Sequence, residues 1–396
     1  MRLSSSIGRF AAVKIALAGM MAAMLVACGA PGAGGGGPGG ASFTGSTGAV
    51  KVALLLPVTS SGSTPAVAKA LKQAAELALF DFDNPNVSLV PKDTKGTPDG
   101  ARLAAESAIK DGAELIIGPL FAQEVAGAAP VARQAGIPMI AFSSDEKVAG
   151  NGVYLLSFQA GRDVPRIVSF AMSKGKRSFA QLLPQSPYGR VAESAFAKAV
   201  SGGGGETSVR AAFPTDDSNA MLGPVRQIAN AIKGGQKVDA LFLPAGREEL
   251  PSLAPLLASS DLTSGRVQFV GTGQWDYPNI GGEKALVGGW YPAPDPKGWS
   301  NFVQGYSKTY GSVPPRLASL AYDAVSLAVS LSQNPPGQRY DMGQLTRASG
   351  FAGLDGLFRL LPDGTCERGL AILEVREGGP VVIDPAPSSF ATASSY

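Results

Sequence analysis

The sequence predicts an α/β protein of two lobes, each a mostly parallel sheet flanked by helices, with an antiparallel hairpin late in the chain. Three observations predict it. Apolar runs of strand length alternate with segments of helical spacing, the signature of repeated βαβ units. The alternation comes in two series, one starting at Val50 and the other at Phe179. With 396 residues, 45% hydrophobic and 16% charged, the chain is long enough to bury two cores of ordinary size.

In chain order, residues 1–27 read as a secretory signal peptide: basic Arg2, Arg9 and Lys14, then an apolar stretch from Ile15 to Val26 that is short for a bilayer span. Leu25-Val26-Ala27-Cys28 resembles the bacterial lipobox, which implies lipid acylation at Cys28 and a cell-envelope address. Gly29 and Ala30 after it carry no aspartate, which resembles sorting to the outer membrane, facing the periplasm. Residues 28–49 form the acylated cysteine and a Gly-rich linker, a flexible coil of roughly 25 Å end to end. The formal charge of +3 comes from the leader; without its three basic residues, 31 basic face 31 acidic side chains. A neutral body gives no footprint for nucleic acid. With Cys28 lipidated, Cys366 has no partner and is expected as a free, buried thiol.

Val50 to Leu56 is a buried strand by its apolar run. Thr64 to Asp83 turns to helical spacing, with Val67, Leu71, Ala74, Ala75, Ala78 and Phe82 on one face. A weak strand at 87–90, a helix at 99–111, a strand at 114–117, a helix at 122–135 and a strand at 139–142 continue the series. The second series has strands at 179–183, 239–243 and 267–270, with helices at 190–200 and near 248–258; "SGGGGE" at 201–206 is a surface loop. Helices at 299–310 and 316–332 follow. Leu357–Leu361, the turn Pro362–Thr365 and Leu370–Val375 read as a hairpin. Residues 385–396 read as a flexible tail.

The chain contains no histidine, which removes the commonest general base, the Ser-His pairing and most zinc sites. Asp216-Asp217 and Glu248-Glu249 sit at helix starts, where acids serve the helix dipole. Ser107-Ala-Ile-Lys110 matches the S-x-x-K acylation motif, but its companion motifs S-D-N and K-T-G are missing. "GTGQW" at 271–275 lacks the third glycine of a dinucleotide fingerprint. No catalytic residue, cofactor or metal is expected, and an enzyme is the weakest function class.

What remains is geometry: in open parallel sheets the crevice lies beyond the carboxyl ends of the strands. Six loops qualify, at 59–64, 118–121, 143–145, 185–188, 245–247 and 273–277. Their candidate lining is Ser60, Ser61, Gly118, Leu120, Phe121, Ser143, Ser144, Asp145, Tyr188, Ala245 and Gln274. Such hydroxyls and free backbone N–H groups suit a small polar ligand, although each is also an ordinary helix cap.

"ELIIGP", "AGIPMIAFSS", "SPYGRVAESAF" and "LASLAYDAVSLAVSL", in that order, resemble the type I periplasmic-binding fold of the leucine/isoleucine/valine-binding proteins. The resemblance covers nearly all of Val50 to Asp384. It implies three interlobe crossovers and a ligand cleft, with residues 50–160 and about 292–335 in lobe 1 and 161–290 and about 336–384 in lobe 2. "DALFLPAGREELPSLAPLLASSDL", "GTGQW" and "GLDGLFRLLPDGTCERGLAILEV" resemble more closely the C-terminal domain of the penicillin-binding protein activators, lipoproteins that stimulate a peptidoglycan synthase. Those activators carry a large helical N-terminal domain, whereas here a Gly-rich linker is read between Cys28 and the binding-fold body. Amino-acid binders carry hydroxyls after the Gly-Pro turn and an acid at the position matching Gln274. Leu120, Phe121 and Ala122 replace the hydroxyls, so Phe121 is expected to plug the cleft. Tyr188 is retained. The expected function is therefore a non-enzymatic envelope lipoprotein that regulates peptidoglycan synthesis through a penicillin-binding protein. The alternative is the amino-acid-binding component of an ABC transporter, with a permease as partner.

Overall fold

The computed structural model describes residues 48–390 apart from residue 84; the leader, Cys28, nearly all of the Gly-rich linker and residues 391–396 lie outside the described residues. The first sheet is built from β1 (Val50–Leu56), followed by helix α1 (Thr64–Phe80), β2 (Val87–Asp93), α2 (Pro98–Lys110), β3 (Leu115–Ile117), α3 (Ala122–Ala135), β4 (Met139–Ala141) and β5 (Val153–Leu155). Its order is β2-β1-β3-β4-β5, and every pairing is parallel. Successive side chains point to opposite faces and both faces are covered, which explains why β1 is apolar at every position but Lys51. Val52, Leu54 and Leu56 pack with Leu71, Ala74 and Ala78 of α1, while Ala53 and Leu55 pack on the other face with α2 and α3.

Helix α4 (Ala160–Ser173) opens the second lobe. It is followed by β6 (Ser178–Pro184), α5 (Pro187–Gly202), β7 (Glu206–Phe213), α6 (Leu222–Lys233), β8 (Ala240–Phe242), α7 (Leu250–Ser259), β9 (Gln268–Val270) and β10 (Trp290–Ala293). The chain then returns to the first lobe through α8 (Pro296–Tyr310), α9 (Ala318–Leu331), the short α10 (Met342–Leu345) and a three-stranded sheet of β11 (Phe351–Gly353), β12 (Gly356–Leu360) and β13 (Cys366–Arg368). Finally β14 (Ala371–Glu374) and β15 (Val381–Asp384) close the second sheet, whose order is β15-β14-β10-β9-β8-β6-β7. Here β14 runs antiparallel to β10, and β15 antiparallel to β14. The chain therefore passes between lobes three times, after β5, β10 and β13. This is the two-lobed type I periplasmic-binding fold.

Three expectations need correction. The stretch from 336 to 368 belongs with the first lobe rather than the second: Tyr340, Leu345, Phe351, Phe358, Leu360 and Cys366 are buried in the core of α1, α9 and β1. The hairpin exists, but its second arm is β13; Leu370–Val375 leaves it to pair with β10. The chain beyond Pro385 is docked as far as it is described, since Phe390 is 1% exposed and lies under the Arg359 guanidinium, 4.6 Å from its ring centre. Cys366 is free and buried, and burial pushes its thiol up to about 12.

Candidate functional site

The second lobe turns three strand ends toward the first. After β9, Gly271 lets the Trp275 ring fold back: a Cβ at 271 would sit 2.2 Å from that ring. Trp275 is fully buried and its indole N–H donates to the Leu243 carbonyl at 3.1 Å, which fixes the turn and presents Gln274, Asp276 and Tyr277. After β6, Ser186 caps α5 by accepting from the Gly189 N–H at 3.0 Å, and Tyr188 in the first turn donates its hydroxyl proton to Thr272 Oγ1 at 2.8 Å. The two loops are thereby tied together. After β8, the Glu249 carboxylate accepts from the Gly246 N–H at 2.8 Å, and Arg247 is left exposed at the rim.

These loops, the start of α4 and the chain between β10 and α9 enclose a cavity of about 270 Å³ between the lobes. Its second-lobe wall includes Asp163, Tyr188, Arg247, Gln274 and Tyr277; Phe158, Pro294, Arg316 and Leu317 come from the crossovers and the first lobe. A recess of about 540 Å³ on the first lobe, lined in part by Asp81, Phe302 and Tyr322, takes no residue from the second lobe. There the Tyr322 hydroxyl already donates to Asp81 at 2.6 Å, so the acid of that recess is committed.

Behind the cleft lies a buried charge network. The Arg316 guanidinium grips Asp355 of the first lobe with both terminal nitrogens, at 2.7 and 2.9 Å, and reaches Asp276 of the second lobe at 3.4 Å. Burial alone would lower its basicity, but the two carboxylates outweigh burial and hold the arginine up. Arg368 is 8% exposed and lies 3.6 Å from Asp323; none of its three guanidinium nitrogens has a hydrogen-bond partner among the described residues. Phe158 is flanked by both cations, with its ring centre 5.0 Å from Arg316 and 4.8 Å from Arg368. Burial, against the pull of Arg316, raises the Asp276 carboxyl; burial and the neighbouring Asp355 raise that of Asp323.

Of the residues expected at the cleft, Tyr188 and Gln274 line the cavity; the Gln274 loop adds Gly273, Asp276 and Tyr277, and the loop after β8 adds Arg247. Ala245 is instead buried in the second-lobe core. The first-lobe set stays outside the cavity. Ser60 donates to the Pro57 carbonyl at 2.9 Å, and Ser61 is exposed. Gly118 is required by the backbone, with φ of +88° and a hypothetical Cβ 2.2 Å from the Leu55 carbonyl oxygen. Leu120 packs on the first core, and Phe121 is 37% exposed at the start of α3. Ser143 accepts from the Asp145 N–H at 3.2 Å, Asp145 caps the turn below it, and Ser144 is exposed. Phe121 therefore does not plug the cavity.

Sequence reasoning missed Asp163, Phe158 and Arg316. Asp163 did carry a signal: it falls in the apolar spacing Ala160, Val164, Ile167, Val168, Ala171, an acid on the buried stripe of α4. Burial pushes its carboxyl up to about 7, with Arg368 pulling the other way.

A model of the periplasmic binding proteins matches residues 49–380. A curated leucine/isoleucine/valine-binding protein homologue of Brucella melitensis is 25% identical over 193 residues, 46% of this chain and 47% of its own length. The match thus spans about half of that relative. A solved structure assigned to a branched-chain amino acid ABC transporter of Rhodospirillum rubrum superposes with a TM-score of 0.74 at 20% identity, covering 85% of this chain and 100% of that one. A solute-binding protein of R. palustris in complex with benzoate superposes at 0.59 with 20% identity, over 86% and 98% of the two chains. At these identities the structural likeness carries the fold alone.

Proposed function

Because the chain belongs to the periplasmic binding protein family, we propose that it is the substrate-binding component of an ABC importer, closing two lobes over a small organic ligand and delivering it to a permease. The observation that carries this reading is the interlobe cavity of about 270 Å³, to which both lobes contribute walls and where Gln274 and Arg247 make no side-chain hydrogen bond or ion pair among the described residues. Branched-chain amino acids and small aromatic acids are the first ligands to try, from the names of the related proteins. A thermal-shift screen over both classes tests it. A ligand at 100 times its dissociation constant stabilises by about 2.7 kcal/mol, and a flat response across the whole panel removes the reading.

The role is non-enzymatic. Supporting this, the Ser107 hydroxyl of the S-x-x-K segment accepts from Lys92 at 2.9 Å, and Lys92 is itself paired with Asp111. Asp217 and Glu249 spend their carboxylates on neighbouring backbone N–H groups, as capping acids do. The protein works in the periplasm, tethered through lipid on Cys28; loss of metabolic palmitate labelling in Cys28→Ala checks the anchor.

The synthase-regulator reading is favoured by one feature, the segment Gly353–Val375 with its buried Cys366. It is weaker than the transport reading, because the related proteins above are named for transport. Pull-down of a bifunctional penicillin-binding protein, with its polymerisation rate measured in parallel, separates the two.

A further inference from the structure

Some polar groups at the cleft are already committed. Asp276 is held by Arg316, and the Tyr188 proton is given to Thr272. One buried charge of the lining is not: Asp163, in the first turn of α4, is 8% exposed and borders the cavity, yet its carboxylate accepts no hydrogen bond and enters no ion pair among the described residues. An isolated buried carboxylate is among the most costly groups a fold can hold. Arg368 is near enough to be felt but is directed at Asp323, 3.6 Å away.

What faces Asp163 across the cavity is rich in acceptors. The Gln274 loop comes close, since a Cβ at Gly273 would lie 3.8 Å from Asp163 Oδ2. Tyr188 donates to Thr272, so its oxygen keeps lone pairs for a donor. The Gln274 amide carries a free carbonyl oxygen, and Phe158 supplies an aromatic wall. Of the two cations among the described lining residues, Arg316 is paired and Arg247 is at the exposed rim, where solvent screens it. A carboxylate, an amide oxygen and a phenolic oxygen around one apolar-walled space match a group with several N–H donors and a positive charge.

Resting on the ligand-capture reading, we infer that Asp163 anchors a cationic nitrogen, so that the cleft selects ammonium-bearing ligands with an apolar body over carboxylic acids that lack an amine.

The test uses the protein from residue 29 onward with three probes: leucine, 3-methylbutylamine and benzoate. Binding is followed by thermal shift and calorimetry in wild type, Asp163→Asn and Asp163→Glu. The expected result is stabilisation of wild type by both amines, at least tenfold weaker amine binding in Asp163→Asn with the fold retained, and partial recovery in Asp163→Glu. Amine binding to wild type should also strengthen between pH 6 and 8, as Asp163 loses its proton while the amines keep theirs. Amine binding that Asp163→Asn leaves unchanged overturns the inference, and so does the absence of any response to both amines. If benzoate alone binds, the inference falls while ligand capture stands; if the wider panel is also silent, both fall.

Discussion

The two rims of the cleft are built from the same parts, loops that follow parallel strands and lead into helices, yet they spend their polar groups differently. On the first lobe, Ser60 bonds its own turn, Asp145 caps the turn that follows, and the fully buried Glu124 takes the Phe121 N–H at 2.9 Å and the Thr94 hydroxyl. On the second lobe, Asp163, the Gln274 side chain and Arg247 are uncommitted among the described residues, and the Tyr277 hydroxyl is buried without a partner among them. Groups satisfied within their own loop have little left for a ligand. Under the ligand-capture proposal the first rim serves as a frame and the second as the recognition surface.

The sharpest way to break this contrast is to cut the link between the rims. Arg316→Ala removes the cation held by both Asp276 and Asp355, leaving Asp355, which is fully buried, without its bidentate partner. Breaking a buried pair on one side costs about 3 to 5 kcal/mol, and chemical denaturation should register a loss of that size. Asp355→Asn, which keeps a hydrogen-bonding group, should lose clearly less.

The next effect runs the other way. In the fold the Asp163 carboxyl is pushed up to about 7 from an ordinary 3.8, so the native state holds a proton that the unfolded chain releases. The stability this group contributes is complete below about pH 4 and is lost as pH rises to about 7. The Arg368 guanidinium, Cys366 and Tyr188 face it, and burial raises the Cys366 thiol and the Tyr188 hydroxyl well above that window. Asp163→Asn should therefore flatten the pH profile of stability over this window and stabilise the ligand-free protein at pH 8, by an order of 2 to 4 kcal/mol. Melting curves at pH 5 and 8 for both proteins check it. A wild type that gains stability with rising pH, relative to the variant, contradicts it.

How much of this was legible in the sequence follows the same physics. The strands of the first lobe announce themselves because both faces are buried: β1 alternates between two cores and is apolar at nearly every position. The edge strand β7 was missed because its burial begins only at its end, and α4 because Pro165 and three charged residues interrupt its stripe. The arms of the C-terminal hairpin were misjudged for another reason. Leu370–Val375 has strand character in any partnership, and only packing decides that it joins β10. Loop position alone placed Tyr188 and Gln274 among the residues that line the cavity. It gave the first-lobe loops equal weight because a capping serine and a ligand-binding serine are the same residue until its partner is seen.

A smaller effect probes how the recognition rim is held. Tyr188→Phe removes the hydroxyl that ties α5 to the β9 loop through Thr272. One neutral hydrogen bond is worth about 0.5 to 1.5 kcal/mol, so the melting temperature should fall slightly. Affinity for the amine probes should fall with it, since the lost oxygen is also one of their acceptors. A drop in stability with unchanged amine affinity would mean that Tyr188 only braces the loop.

The smallest expected effect is the most telling for the contrast between rims. Phe121 begins α3 outside the cavity, 37% exposed, and the capping contact at this position comes from its backbone N–H to Glu124, which any residue but proline preserves. Phe121→Ser should leave ligand affinity within twofold and alter stability by less than about 0.5 kcal/mol, the usual range for a surface change. A plug at the cleft requires the reverse, a wider cavity and new affinity for carboxylates. Calorimetry with leucine and benzoate on this one variant decides whether the first rim takes any part in selection.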